Sequence, residues 1–107
     1  MQDNPEIFSV EVTETAWDML VSHARYLAGV SVSAASNLID AFVKATDSLK
    51  IMPERNPWLE NEGFPFRKYR KMIFGRNFIA LYETRGETVY VAAVVDGRQD
   101  YGWMLAK

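Results

Sequence analysis

The chain has 107 residues, 49% of them hydrophobic, and a formal net charge of -2. That is one domain's length with enough apolar side chain for a core of its own, and the absence of cysteine excludes disulfides, thiolate metal sites and cysteine nucleophiles. Residues 1–6 are polar with no apolar run behind them, and no stretch approaches the roughly 20 apolar residues of a membrane span, so a soluble, cytoplasmic protein is expected.

The small net charge hides an uneven distribution. Residues 1–60 carry four Lys/Arg against nine Asp/Glu, whereas residues 61–107 carry eight against five. A basic C-terminal part on an acidic body suits an acidic partner, and it equally suits solvated strand edges.

From Ile7 to Val12 the chain alternates polar and apolar residues, as a strand with one buried face does. Thr13 is the expected N-cap of a helix running to about Ala28, with Trp17, Leu20, Val21, Ala24, Leu27 and Ala28 at three- and four-residue spacing. Gly29 is expected to end it in the left-handed conformation, and Ser31 or Ser33 to cap a second helix with the stripe Ala35, Leu38, Ile39, Phe42, Ala45 and Leu49. The two helices form an antiparallel hairpin. Pro53 stops the second, and residues 54–65 form a loop rich in breakers, with Trp58 and Leu59 as anchors into the core.

The segment from Phe66 to Leu105 reads as a three-strand antiparallel meander closed by a short helical turn. Its first strand carries Arg67, Lys68, Arg70 and Lys71, with Arg76 just beyond, while Phe78–Tyr82 and Val89–Val95 are nearly continuous apolar runs. Gly75 and Asn77 mark one turn, and Arg85, Gly86 and Glu87 mark the next. A cationic edge strand therefore lies beside a buried sheet centre, and strand alternation sends Lys68 and Arg70 to one face and Arg67 and Lys71 to the other. Positive charge also blunts an exposed edge against aggregation. After the last strand come Asp96, Gly97, Arg98, Gln99, Asp100 and Tyr101, a polar group at a strand end, where binding residues held on a rigid scaffold often collect.

In this order, and with the pieces Tyr69-Arg70-Lys71, Asn77 to Glu83 and Asp96 to Tyr101 ahead of the apolar Trp103, Met104 and Leu105, the chain resembles the RelE/ParE superfamily of bacterial type II toxin-antitoxin toxins, the plasmid stabilisation type included. The resemblance covers almost the whole chain. It implies an α+β fold with a helical hairpin on one face of the sheet and a single toxin domain over residues 1–107. It also implies a cognate antitoxin as partner and action on the ribosome and messenger RNA, or alternatively on DNA gyrase.

For the RNA-cleaving branch, the implied catalytic residues are Arg70, Lys71, Arg98 and Tyr101, with Arg67, Lys68 and Arg76 binding phosphates. Cations aimed at developing negative charge are what phosphoryl chemistry requires. Tyr101 would stack on a base or move a proton. No metal or cofactor is implied. This chain carries Phe78, Ile79 and Ala80 where RNA-cleaving relatives often place an arginine, and its C-terminal segment has no histidine. A gyrase inhibitor or a noncatalytic binder of the same fold is the alternative.

Other polar and aromatic residues have plainer readings. His23 is expected to be an ordinary surface or boundary residue of the first helix, and Trp17, Trp58 and Trp103 to pack as scaffold. Asp96 and Asp100 are explained by ion pairs with Arg98 or by helix capping.

Overall fold

The computed structural model describes residues 7–60 and 67–98. Strand β1 (Ser9–Val12) leads into helices α1 (Glu14–Ala28) and α2 (Val32–Ser48), followed by a single 3-10 turn (Pro53–Arg55) and strands β2 (Arg70–Phe74), β3 (Phe78–Arg85) and β4 (Thr88–Asp96). Among the described residues these strands form one mixed sheet in the order β1-β4-β3-β2. The meander is antiparallel as expected, while β1 lies parallel to β4 with Val10 opposite Val89 and Val12 opposite Val91. A parallel pair needs a long crossover, and the helical hairpin supplies it. The expected closing helix at Tyr101–Leu105 lies outside the described residues.

Both helices start where a hydroxyl can cap them. The Thr13 side chain accepts from the Ala16 N–H at 3.1 Å, and Ser31, rather than Ser33, accepts from the Ala34 N–H at 3.2 Å. Gly29 does not take the left-handed conformation. Its φ is -66°, because its N–H still bonds to the Arg25 and Tyr26 carbonyls and the next two N–H groups both return to Leu27, so the chain turns by prolonging a right-handed coil. The C-terminal end of α2 has no basic residue of its own. Arg55, from the 3-10 turn, reaches back to the carbonyls of Ser48 and Ile51 at 3.2 and 2.8 Å, where positive charge complements the helix dipole.

The main core lies between the helices and one sheet face. Ala16 and Leu20 of α1 and Leu38 and Phe42 of α2 pack on Met72, Phe74, Ala80, Tyr82, Val89, Val91 and Val94. On the other face Leu81, Ala93 and Val95 pack with Leu59, the loop anchor expected from the sequence. Trp17 departs from expectation. The buried line of α1 runs through Ala16 and Leu20, so Trp17 falls on its margin, 46% exposed, with its ring tilted against Phe42.

Two local features fix the sheet's shape. The register of β3 against β4 shifts between Leu81 and Tyr82, so Ala92 has no opposite residue; its carbonyl instead accepts from the Thr13 hydroxyl at 3.4 Å, and the Thr13 N–H bonds to the Val91 carbonyl. The start of α1 is thereby tied to the bulge. At the far end of β4, the Gly97 N–H meets the Asn77 carbonyl so closely that a Cβ at Gly97 would lie 2.8 Å from that oxygen. Only glycine fits there.

Tyr82 is fully buried, and its hydroxyl donates to the Pro53 carbonyl while accepting from Asn56 Nδ2 at 3.0 Å. Burial pushes its phenol above the ordinary value, keeping the proton in place to be donated. This pair of bonds staples the loop after α2 to the sheet centre. Tyr82→Phe leaves a carbonyl and an amide unpartnered and is expected to cost about 1–3 kcal/mol, measured by urea unfolding at neutral pH, with the slope unchanged.

Candidate functional site

The cationic residues separate into two corners of the molecule. Strand β2 begins only at Arg70, and Arg67 has a φ of +50°, so Arg67 and Lys68 are not in the strand and do not follow its alternation. The sequence-based sorting of these four residues is corrected accordingly. Arg67, Lys68 and Arg70 border one groove of about 390 Å³, with Glu54, Glu83 and Trp58, while Lys71 lies opposite Leu81 on the sheet face away from the helices. Arg70 and Lys71 thus face opposite ways despite being neighbours.

Arg70 is held firmly. Its guanidinium stacks on the Trp58 ring at 3.8 Å from the centroid, and Nη1 donates to the Asn56 carbonyl at 2.7 Å. Trp58 was expected as a core anchor; it is half-buried, pairs by an isolated bridge with Arg70, and serves as the platform for that arginine. Glu83 takes a 2.6 Å bond from Arg85 and lies 4.0 Å from Lys68, so this groove is a mixed-charge surface.

The second corner lies where the helical hairpin meets the β2–β3 turn. Here Arg76 and Arg98 border a groove of about 450 Å³ whose walls include Leu27 of α1, Ala34 and Leu38 of α2, and Phe78. Arg98 forms a fork with Asp96, Nε to Oδ1 at 3.1 Å and Nη2 to Oδ2 at 2.9 Å, and its backbone N–H adds a third bond to Oδ1. Of the ion pairs expected between Arg98 and its neighbouring aspartates, the one with Asp96 is formed, and Asp100 lies outside the described residues. Those bonds hold the Asp96 carboxyl below the usual carboxylate range, burial opposing and nearby His23 assisting. His23 is half-buried, a boundary position as expected, with Nε2 3.1 Å from the Val94 carbonyl and its ring edge-on to Phe78.

Arg70 and Arg98 do not meet. Arg70 is level with Tyr82 on β3, and Asp96 is level with Phe78 and Phe74, four residues or about 13 Å further along β2. Tyr101 lies outside the described residues. Of the proposed catalytic set, the described residues place Arg70, Lys71 and Arg98 on different surfaces. The groove between the hairpin and the β2–β3 turn is not legible in the sequence because Leu27, Leu38 and Phe78 read as helix stripe or strand, and nothing local signals that they converge.

Among the described residues no group of three or more His, Asp or Glu is placed to hold a metal ion, and no helix is long and apolar enough to cross a membrane. The family model described as the ParE toxin of the type II toxin-antitoxin system, parDE, matches residues 10–101. The chain belongs to the ParE toxin family. It shares its fold with a chain of the chromosomal ParDE toxin-antitoxin system from P. aeruginosa, at a TM-score of 0.69 and 16% identity over 85% of this chain and 97% of that one. A chain of the toxin-antitoxin complex RelBE2 from Mycobacterium tuberculosis is similar as well, at a TM-score of 0.61 and 19% identity over 89% and 97%. No curated relative matches. As a ParE-family member, the chain is a type II toxin-antitoxin toxin of the RelE/ParE superfamily.

The Asp96–Arg98 fork has a pH signature. A carboxyl whose folded value is depressed adds stability above its ordinary value near 3.8 and loses it as the pH falls through the lower folded value. Asp96→Asn is therefore expected to lower the melting temperature at pH 6–7, and the gap to the parent should shrink below about pH 4 in a pH series of thermal melts.

Proposed function

We propose that this ParE-family chain inhibits DNA gyrase and is neutralised by a cognate antitoxin. One observation carries the choice of target. The described cations do not converge: Arg70 is stacked on Trp58, Arg98 is forked to Asp96, and Lys71 lies on the other sheet face, where Leu81, Ala93 and Val95 are buried against Leu59. A phosphodiester-cleaving site needs several polar groups converging on one reacting atom. A toxin that acts by holding a protein target has no such need. The match to the ParE family model and the likeness to the ParDE chain from P. aeruginosa point the same way.

The competing reading, cleavage of ribosome-bound messenger RNA through Arg70, Lys71, Arg98 and Tyr101, makes opposite predictions in one pair of assays. The purified chain is expected to block supercoiling by gyrase and to accumulate gyrase-dependent breaks in plasmid DNA, and to leave messages intact in a cell-free translation reaction. Lys71→Ala is expected to leave gyrase inhibition unchanged, in contrast to the roughly hundredfold rate loss that follows removal of a cation from a transition-state clamp. Cuts in the ribosomal A site with supercoiling untouched would reverse the assignment and return Arg70, Lys71, Arg98 and Tyr101, with Arg67, Lys68 and Arg76 on the phosphates, to the catalytic reading.

A further inference from the structure

The outer face of α2 carries a charge pattern that the proposed function does not use. Asp40, Lys44, Asp47 and Lys50 follow one another at intervals of four, three and three residues, so they form one stripe along the helix and the turn just beyond it. All four are exposed. Asp40 and Lys44 make no ion pair among the described residues, and Asp47 and Lys50 meet at 2.9 Å in an exposed pair. The stripe walls a groove of about 490 Å³ that is also lined by Val10 and Val12 of β1, and Val43, 55% exposed, stands in the middle of the wall. Uncovered apolar side chains within a charged rim have the composition of a docking face.

We propose that the occupant is a second copy of this chain, packed α2 against α2 across a two-fold axis. Read along the helix, the stripe is minus, plus, minus, plus. An antiparallel copy presents it in reverse, so Asp40 meets Lys50 of the second copy, Lys44 meets its Asp47, and symmetry repeats both contacts. A parallel copy would set like charge against like. The midpoint between Asp40 and Lys50 falls at Ala45, and that between Lys44 and Asp47 lies half a residue further, about 0.8 Å along the helix, so one axis serves both pairs. Self-complementarity of this kind is what a two-fold interface requires. Exposed ion pairs contribute little by themselves, so the charges set orientation and register, while covering Val43, Val10 and Val12 supplies the apolar contribution. The inference goes beyond the proposed function and depends on neither gyrase nor an antitoxin.

The test follows self-association of the full chain by sedimentation velocity over a concentration series, with circular dichroism melts as the check on folding. The parent is expected to form a dimer that weakens at high salt. Lys44→Glu sets carboxylate against Asp47 at both symmetric contacts and is expected to weaken the dimer about tenfold or more with the fold retained. Adding Asp47→Lys to it restores opposite charges at those contacts, and the double variant is expected to recover most of the loss. Val43→Asp, at an exposed position, is expected to leave a folded monomer. Arg76→Glu makes the same change of net charge on the β2–β3 turn, outside this groove, and is expected to dimerise as the parent does. A parent that stays monomeric up to about 1 mM would overturn the proposal. So would a dimer that tolerates both Lys44→Glu and Val43→Asp; if those variants then lost gyrase inhibition or antitoxin binding, the stripe would belong to that partner. A double variant that folds and remains monomeric would overturn the antiparallel register.

Discussion

Strand β4 is paired along both edges and covered on both faces, and the placement of every other element follows from burying it. Val89, Val91 and Val94 face the helices, Ala93 and Val95 face Leu59, and all five are at most 1% exposed. Full burial of five such side chains contributes several kcal/mol, more than any surface ion pair here can supply. The antiparallel edge is satisfied locally by β3 through the two-residue turn at Gly86 and Glu87. The other edge is filled by β1, which arrives parallel, and a parallel neighbour requires the chain to cross over the sheet. The helical hairpin carries the chain across the sheet from β1 to β2 at the opposite edge, and the Ala92 carbonyl at the bulge anchors Thr13, the N-cap of α1.

This arrangement decides where charge can go. With β4 and β3 in the centre, the described cations of the second half of the chain fall on β2, on its flanking segments, at the last residue of β3, and just past the end of β4. The short β2 and the positive φ of Arg67 then split them between two corners. At one corner Arg70 is committed to Trp58 and the Asn56 carbonyl, and the Glu83 carboxylate is shared between Arg85 and Lys68. At the other, Arg98 is committed to Asp96 while Arg76 stands exposed over apolar walls. A chain with a cluster of five cations in ten residues thus presents no single cationic site among its described residues. Its more distinctive surface is amphipathic, and such surfaces suit protein partners better than phosphodiesters.

Under the proposed neutralisation by an antitoxin, rigidity around that surface is useful. The β2–β3 turn is closed by the Gly97–Asn77 contact, and the 3-10 turn after α2 is pinned by the Tyr82 hydroxyl from the sheet side and by Arg55 from the helix side. These contacts join loop to sheet and helix without using the exposed residues of the hairpin tip.

The sequence by itself determined the class of the fold. The period-two alternation of Ile7–Val12, the helical stripes capped by Thr13 and Ser31, the breakers from Pro53 onward and the apolar runs of β3 and β4 are local signals, each written in residues adjacent along the chain. So are Leu59 as anchor and the Asp96–Arg98 pair, two residues apart. What only the tertiary structure decided depends on residues distant in sequence. Trp58 meets Arg70 because the loop pairs with the β2 edge; Trp17 is left at the margin because the position of α2 sets which line of α1 is buried; and Gly29 stays right-handed because the hairpin turn is completed by bonds to Leu27. The candidate site was the least legible part, since a run of arginines and lysines reads as one cluster along the chain, whereas strand alternation, a positive φ and the length of a five-residue strand send its members to different surfaces.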